Sequence, residues 1–258
     1  MPARLPAPLP RGLLATIAQG PGLLLCLDYD GTLAEITADP AAARPYRGVR
    51  QQLRRLASSH NNKVSVAIVT GRKLAEVKRL LGIKSTLSFS GIHGLEHDEP
   101  GAEPRFTPEA LECASELAAV RSWLARNVPD DRGFRIEDKQ VALGLHFRLA
   151  DAKEAAALSE RLARFVAGET PRLKLVRLKM LAEVMPRAAS KAREVVALKK
   201  RAPKSYVTAY FGDDTTDEDA FAALAKNDIG VLVGAERESL AKYRVDGPAA
   251  VLRELRSL

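Results

Sequence analysis

The chain has 258 residues and a formal charge of +8, with 46% hydrophobic and 28% charged residues. That mix suits one large globular domain or a core carrying an insertion, and no stretch nears the ~18 apolar residues of a membrane span. The basic residues are scattered (Arg50, Arg54, Arg55; Arg161, Arg164; Lys199, Lys200, Arg201) without interleaved aromatics, so they read as solvated helix faces with a mild pull on anions, not as a nucleic-acid surface.

Residues 1–20 are interrupted by Pro2, Pro6, Pro8 and Pro10, which predicts a flexible lead-in with a short helix over 13–19 and no signal-peptide core. The two cysteines, Cys26 and Cys113, have no cysteine or histidine at metal spacing and read as small buried hydrophobes, which fits a cytoplasmic protein. Residues 23–27, Leu-Leu-Leu-Cys-Leu, form the kind of strand buried on both faces inside a parallel sheet. It runs into Asp28-Tyr29-Asp30-Gly31-Thr32. Residues i and i+2 of a strand share a side, so Asp28 and Asp30 are expected in one small volume at the carboxyl edge, where ligands of open α/β sheets bind. Two such carboxylates repel unless a cation or a retained proton relieves them. One could attack an electrophile while the other moves protons; a turn after a core strand fits the same residues.

A Pro- and Ala-rich loop over 35–46 and a helix over 47–60 lead to a second buried strand, 63–69, ending in Thr70-Gly71-Arg72. A helix following directly would offer unpaired N–H groups and its dipole to an anion, with the Thr70 hydroxyl as a further donor; simple capping by Thr70 fits equally. A third strand over 86–90 precedes Gly91-Ile92-His93-Gly94-Leu95-Glu96, a tight loop with unusual backbone angles around His93.

From about residue 100 the character shifts. A helix over 108–127 carries Leu111, Leu117, Val120 and Leu124 on one stripe. Hairpin strands at 134–139 and 142–148, a helix over 152–167 and a second hairpin at 173–177 and 180–184 make an αββαββ segment with an antiparallel sheet. Alternation puts Glu137 with Lys139, and His146 with Arg148, on shared faces, which fits either a polar ligand surface or a solvated side.

After Pro186 a helix over 190–200 places Lys191 in its first turn, an odd position for a cation unless an anion is near. Strand 206–211 ends in Gly212-Asp213-Asp214-Thr215-Thr216-Asp217-Glu218-Asp219. The later acids suit a first helical turn, while Asp213 and Asp214 suit a hard cation with oxygen ligands, Mg²⁺ being common at phosphate sites; the spacing is not that of an EF-hand. A last strand over 229–234 and a terminal helix over 249–255 close the chain. Taken in order, these fragments supply a nucleophile, donors for an anion and carboxylates for a cation, the inventory that phosphoryl transfer needs.

Asp28-Tyr29-Asp30-Gly31-Thr32, Thr70-Gly71-Arg72, Lys191 and Gly212-Asp213-Asp214 resemble the four motifs of the haloacid dehalogenase superfamily. With Gly91-Ile92-His93-Gly94-Leu95-Glu96, Glu137-Asp138-Lys139, His146-Phe147-Arg148, Glu183 and the acidic run from Gly212 to Phe221, the chain is similar to trehalose-6-phosphate phosphatases. The resemblance implies a Rossmann-like α/β core with a parallel sheet, residues 21–103 and 186–258, and an inserted α+β cap domain, residues 104–185. It implies action on a small sugar phosphate with Mg²⁺ as cofactor; the scattered charge and the lack of a long apolar run point to no nucleic-acid or membrane partner, and a monomer is expected.

By the same resemblance Asp28 is the nucleophile, Asp30 the acid and base, and Lys191 a catalytic cation. Thr70, Gly71 and Lys191 hold phosphate. Mg²⁺ is held by the Asp28 carboxylate, the Asp30 carbonyl and Asp213, with Asp214 or Asp217 in support. Arg72, His93, Glu137, Lys139, His146, Arg148 and Glu183 are substrate-binding candidates. The chain departs from the family at Ala192, usually Gly; at Thr70, commonly Ser; and at Phe147, commonly Tyr. Two other readings fit the same motifs: a phosphatase of sucrose phosphate or mannosylglycerate phosphate, and a non-catalytic sugar-phosphate-binding domain.

Overall fold

The computed structural model describes residues 3–37, 39–58, 63–83, 86–178 and 180–258. The first two residues of the expected lead-in, position 38 of the expected loop and the end of the helix expected over 47–60 lie outside the described residues. The chain divides into two compact units, Met1–Arg105 with Ser190–Leu258, and Phe106–Ala189.

The first unit is built on a mainly parallel sheet. Its strands lie side by side in the order Ala7–Pro8, Tyr243–Val245, Ile229–Val233, Val207–Gly212, Leu23–Leu27, Val64–Val69, Ser88–Gly91 and Glu96–Asp98. Only the last of these pairings is antiparallel. Every residue of Leu23–Leu27 is buried. Alternation along it feeds two apolar layers. Leu23, Leu25 and Leu27 pack with residues of Leu13–Gln19, Val49–Ser58, Leu74–Leu81 and Pro248–Ser257. Leu24 and Cys26 pack on the other face with residues of Lys191–Arg201 and Thr215–Ala223. Helices on both faces explain why the strand reads as a continuous apolar run.

The lead-in is not a loose tail. Ala7–Pro8 adds to the sheet edge beside Tyr243–Val245, and Leu14 of the following helix is fully buried in the core. Tyr243–Val245 itself went unpredicted because three residues carry too little alternation to show.

The second unit is an antiparallel sheet in the order Arg135–Asp138, Leu143–His146, Leu181–Pro186, Leu173–Leu178. Leu143, Leu145, Val184 and Leu173 pack with Leu117, Val120 and Leu124 of Ala114–Asn127 and Leu158, Leu162 and Val166 of Ala152–Glu169. The helix expected over 108–127 is two helices, Pro108–Glu112 and Ala114–Asn127, broken at Cys113 where φ is −87 and ψ 6. The break takes Leu111 off the expected stripe and leaves it exposed, while Cys113 turns inward. The strand expected to reach residue 148 stops at His146. No helix among the described residues is long and apolar enough to cross a membrane.

Removing core volume from the central strand should be costly. Leu25→Ala is expected to lower unfolding stability by about 2–5 kcal/mol. Leu149→Ala, at a side chain that is 85% exposed, should change it by about 0.5 kcal/mol or less. Denaturant titration of both variants checks this, and similar losses would contradict the layer assignment.

Candidate active site

Three adjacent parallel strands, Val64–Val69, Leu23–Leu27 and Val207–Gly212, end on the same edge of the first unit. Thr70, Asp28 and Asp213 follow their last residues directly. The Asp28 N–H still donates to the Phe211 carbonyl at 3.0 Å, so the nucleophile candidate sits on the end of the ladder. The chain then turns through Gly31 at φ 71, where any Cβ would overlap the Asp213 carboxylate. Only glycine lets the Asp28–Thr32 loop pass this close to the neighbouring strand end.

Carboxylate oxygens of Asp28, Asp213 and Asp217 lie within 4.8 Å of one another. Lys191, buried at the start of its helix, reaches Asp28 Oδ1 at 3.0 Å and Asp217 Oδ1 at 2.8 Å. That resolves the odd placement of a cation in a first helical turn. Burial works against the ammonium, but Asp217 and Asp28 outweigh it and hold its pKa above the ordinary value. Burial, with Asp217, Asp213 and Asp30, pushes the Asp28 carboxyl well up despite Lys191. Burial and Asp217 push Asp213 up to about 7. Asp217 moves the other way, since Lys191, Tyr210 and the Asp214 N–H together overcome its own burial. Three hard oxygen donors with a surplus of negative charge form a set suited to a divalent cation such as Mg²⁺.

Asp217 is the organiser of this cluster. Its Oδ1 accepts from Lys191 and from the Tyr210 hydroxyl at 2.6 Å; its Oδ2 accepts from the Asp213 and Asp214 N–H groups, each at 3.0 Å. Asp214 is exposed, and its carboxylate caps the Thr215–Ala223 helix through the Thr215 N–H. Of the two supporting acids left open by the sequence, Asp217 therefore joins the cluster and Asp214 does not. The Asp214-Thr215-Thr216-Asp217 capping box was the available signal. Tyr210, an interior strand residue, gave none.

Asp30 stays near enough to raise the Asp28 and Asp213 carboxyls, but it does not join the cluster as expected. Its carboxylate is held by Arg72, with Nε to Oδ2 and Nη2 to Oδ1 both at 2.7 Å. The strand ends at Leu27, so alternation no longer fixes where Asp30 points. Arg72 also bonds Glu76 and the Pro40 carbonyl, and lies over the Tyr29 ring. Its side chain is engaged within the unit and orients Asp30.

Thr70 is buried, and its Oγ1 accepts from the Arg72 N–H at 3.2 Å. The helix after it starts only at Leu74, and the Leu74 N–H donates to Glu96 Oε2 at 2.8 Å. A carboxylate of the protein thus takes the helix start expected to serve an external anion. His93 is buried beside this turn: its N–H donates to the Thr70 carbonyl at 3.0 Å, and a Cβ on Gly71 would come within 2.7 Å of its Nε2.

In the second unit, Glu137, Gly144 and Glu183 form one row across three strands. On that face Glu137 Oε2 meets His146 Nε2 at 2.8 Å and Lys139 Nζ meets Glu183 Oε1 at 2.7 Å. Burial opposes it, but the His146 bond and the Lys139 charge hold the Glu137 carboxyl below its usual range. Glu183 and Lys139 are only 1% and 6% exposed, so this is not a solvated side. Arg148 is exposed in the turn beyond His146 and does not share the face.

The first unit is a mainly parallel α/β sheet with a carboxylate cluster at its carboxyl edge, and its fold is that of haloacid dehalogenase-like proteins. A haloacid dehalogenase-like hydrolase from Bacteroides thetaiotaomicron, 14% identical, shares the fold at a TM-score of 0.62 over 91% of this chain and 98% of its own. The family profile described as trehalose-phosphatase matches residues 26–249. Probable trehalose-phosphate phosphatase 4 of Oryza sativa subsp. japonica is 31% identical over 252 residues, 94% of this chain and 67% of that protein. Trehalose 6-phosphate phosphatase RA3 of Zea mays is 32% identical over 265 residues, 95% and 72% of the two chains. The C-terminal domain of C. albicans trehalose-6-phosphate phosphatase, 26% identical, superposes with a TM-score of 0.81 over 98% of this chain and 97% of its own. The chain belongs to the trehalose-phosphatase family and is an enzyme of the phosphoric monoester hydrolase class.

The raised pKa of Asp213 makes a signed prediction for chelated protein. Its carboxyl binds a proton more tightly folded than unfolded, so its contribution to stability is complete at low pH. That contribution is lost as pH rises from the ordinary 3.8 to about 7. Asp213→Asn should therefore gain on the wild type across that window and level off above it, by thermal unfolding in EDTA. A difference that stays constant with pH would contradict the clustered geometry.

Proposed function

We propose that this chain hydrolyses trehalose 6-phosphate to trehalose and phosphate, with Mg²⁺ as cofactor and an aspartyl-phosphate on Asp28 as intermediate. The observation that carries this reading is the buried Asp28 carboxylate, 3.0 Å from Lys191, in a chain matched to trehalose-phosphatase over residues 26–249. Asp28 and Asp213 would hold Mg²⁺, since the oxygens of Asp217 are already committed to Lys191, Tyr210 and two backbone N–H groups. Mg²⁺ bound there would return the raised carboxyls to their anionic form and neutralise phosphate oxygen charge.

In the first step Asp28 Oδ attacks phosphorus, and the bond from phosphorus to the sugar oxygen breaks. Asp30 gives that oxygen its proton. In the second step a water attacks phosphorus while Asp30 takes a water proton, and the bond to Asp28 breaks to release phosphate. For both transfers Asp30 must exchange part of its Arg72 pairing for the reacting oxygen. Lys191 and the Thr70 hydroxyl would hold phosphate oxygens. Glu137, Lys139, His146 and Glu183 would read sugar hydroxyls, because a hydroxyl both donates to a carboxylate and accepts from an ammonium.

Phosphate release from trehalose 6-phosphate, sucrose 6-phosphate, glucose 6-phosphate, mannosyl-phosphoglycerate and p-nitrophenyl phosphate tests the assignment. A strong preference for trehalose 6-phosphate, abolished by EDTA and restored by Mg²⁺, is the expected result. Equal weak turnover of every ester would remove the sugar assignment, and silence on all of them would favour a binding domain. Two variants sharpen it. Asp28→Asn should abolish turnover without lowering the thermal midpoint, and near-normal activity would exclude the covalent route. Glu183→Ala should cost about 1–3 kcal/mol in kcat/KM for trehalose 6-phosphate and little for p-nitrophenyl phosphate.

A further inference from the structure

The loop that carries His93 holds a backbone conformation that its side chains disfavour. Ile92 has φ 49, His93 has φ 54 and ψ 39, and Gly94 has φ 92. For Ile92, a β-branched residue with no exposure, the left-handed region is a genuine outlier. Such strain persists where the surroundings over-determine it, and it concentrates at functional sites.

The surroundings here are specific. The Ile92 N–H donates to the Arg72 carbonyl and the His93 N–H to the Thr70 carbonyl, both at 3.0 Å. Two successive N–H groups thus grip both ends of the Thr70-Gly71-Arg72 turn. Spent on carbonyls, they form no anion nest of their own. The His93 carbonyl accepts from the Ser190 N–H at 2.7 Å, and Ser190 is the N-cap of the helix whose first residue is Lys191. The imidazole packs on Gly71 so closely that a Cβ there would lie 2.7 Å from Nε2 and 2.9 Å from Cε1.

We propose that the strained Ile92–Gly94 segment is a brace that fixes Thr70 and Lys191 relative to one another, with His93 as its positioning residue, so that His93 acts on the phosphate end of every substrate and not on the sugar. The inference rests on the reading of Thr70 and Lys191 as phosphate holders. In an extended conformation the three residues would not present these two N–H groups and this carbonyl to the two elements at once. Packing of the ring on Gly71 then sets how near the Thr70 hydroxyl turn can approach.

The test uses His93→Ala, His93→Asn, Gly71→Ala and the Gly71→Ala/His93→Ala double variant. Each is assayed with Mg²⁺ on trehalose 6-phosphate and p-nitrophenyl phosphate, with inorganic phosphate affinity by calorimetry and the thermal midpoint in parallel. His93→Ala should lose roughly tenfold to a hundredfold in kcat/KM on both esters alike and bind inorganic phosphate more weakly. His93→Asn, which accepts the left-handed backbone, should retain more than His93→Ala. The penalty of His93→Ala should shrink in the Gly71→Ala background, because the methyl has already displaced the ring.

A loss confined to the sugar phosphate would overturn the proposal by making His93 a sugar reader. Strictly additive penalties would overturn it too, as would a lowered thermal midpoint with phosphate affinity unchanged. Should the wild type hydrolyse only p-nitrophenyl phosphate, the trehalose reading fails while the generic ester still decides the brace. With no turnover at all, phosphate affinity across the four variants decides it.

Discussion

The site depends on one buried ammonium. Lys191 is the charge that allows Asp28, just past a strand end, and Asp217, in the first turn of the Thr215–Ala223 helix, to sit inside the protein. A buried carboxylate is expensive unless paired, and removing the partner of a buried pair costs far more than the pair contributes to stability. Yet one ammonium faces three carboxylates, because Asp213 belongs to the same cluster. The folded site is therefore left with negative charge that the protein does not cancel. Such a surplus suits an edge that takes up an external cation.

The three acids do not share the burden equally. Asp217 takes four donors and stays ionised, so it works as fixed scaffolding that sets the position of Lys191 and of the turn carrying Asp213. Asp28 has Lys191 as its side-chain partner among the described residues and is pushed the opposite way. Neighbouring carboxylates with opposed shifts mark different roles. Asp28 is the one left with coordination to spare. Asp30 stands apart on a second cation, Arg72, whose other donors go to Glu76 and the Pro40 carbonyl. The two aspartates thus pair with different cations although they are two residues apart.

What the sequence made legible follows the physics of each signal. Strands buried on both faces announce themselves as apolar runs, so the three central strands and the residues ending them could be read directly. Lys191 was conspicuous because a cation in a first helical turn works against the dipole. Side-chain direction beyond a strand end was not legible. Asp30, two residues past Asp28, turns to an arginine 42 residues away. Glu96 likewise fills a helix start across a 22-residue separation that no local pattern records. Short strands such as Tyr243–Val245 fall below the length at which periodicity shows. The break at Cys113 lies in a sequence with good helical spacing on both sides, so tertiary packing overrode the pattern.

The second unit applies the same economics to a different end. Its helix-covered face is apolar and would stabilise a small sheet by itself. The other face carries two charge pairs, Glu137 with His146 and Lys139 with Glu183, and the second is almost wholly buried. Well-packed apolar residues in those places would match or exceed the stability such pairs provide. Their survival on that face is better explained by what they can exchange. Under the proposed function a sugar hydroxyl would enter each pair as donor and acceptor at once, a substitution within a satisfied network that leaves no bare charge behind. The carboxylate cluster of the first unit is organised on the opposite plan, with charge left over that its one ammonium does not cancel.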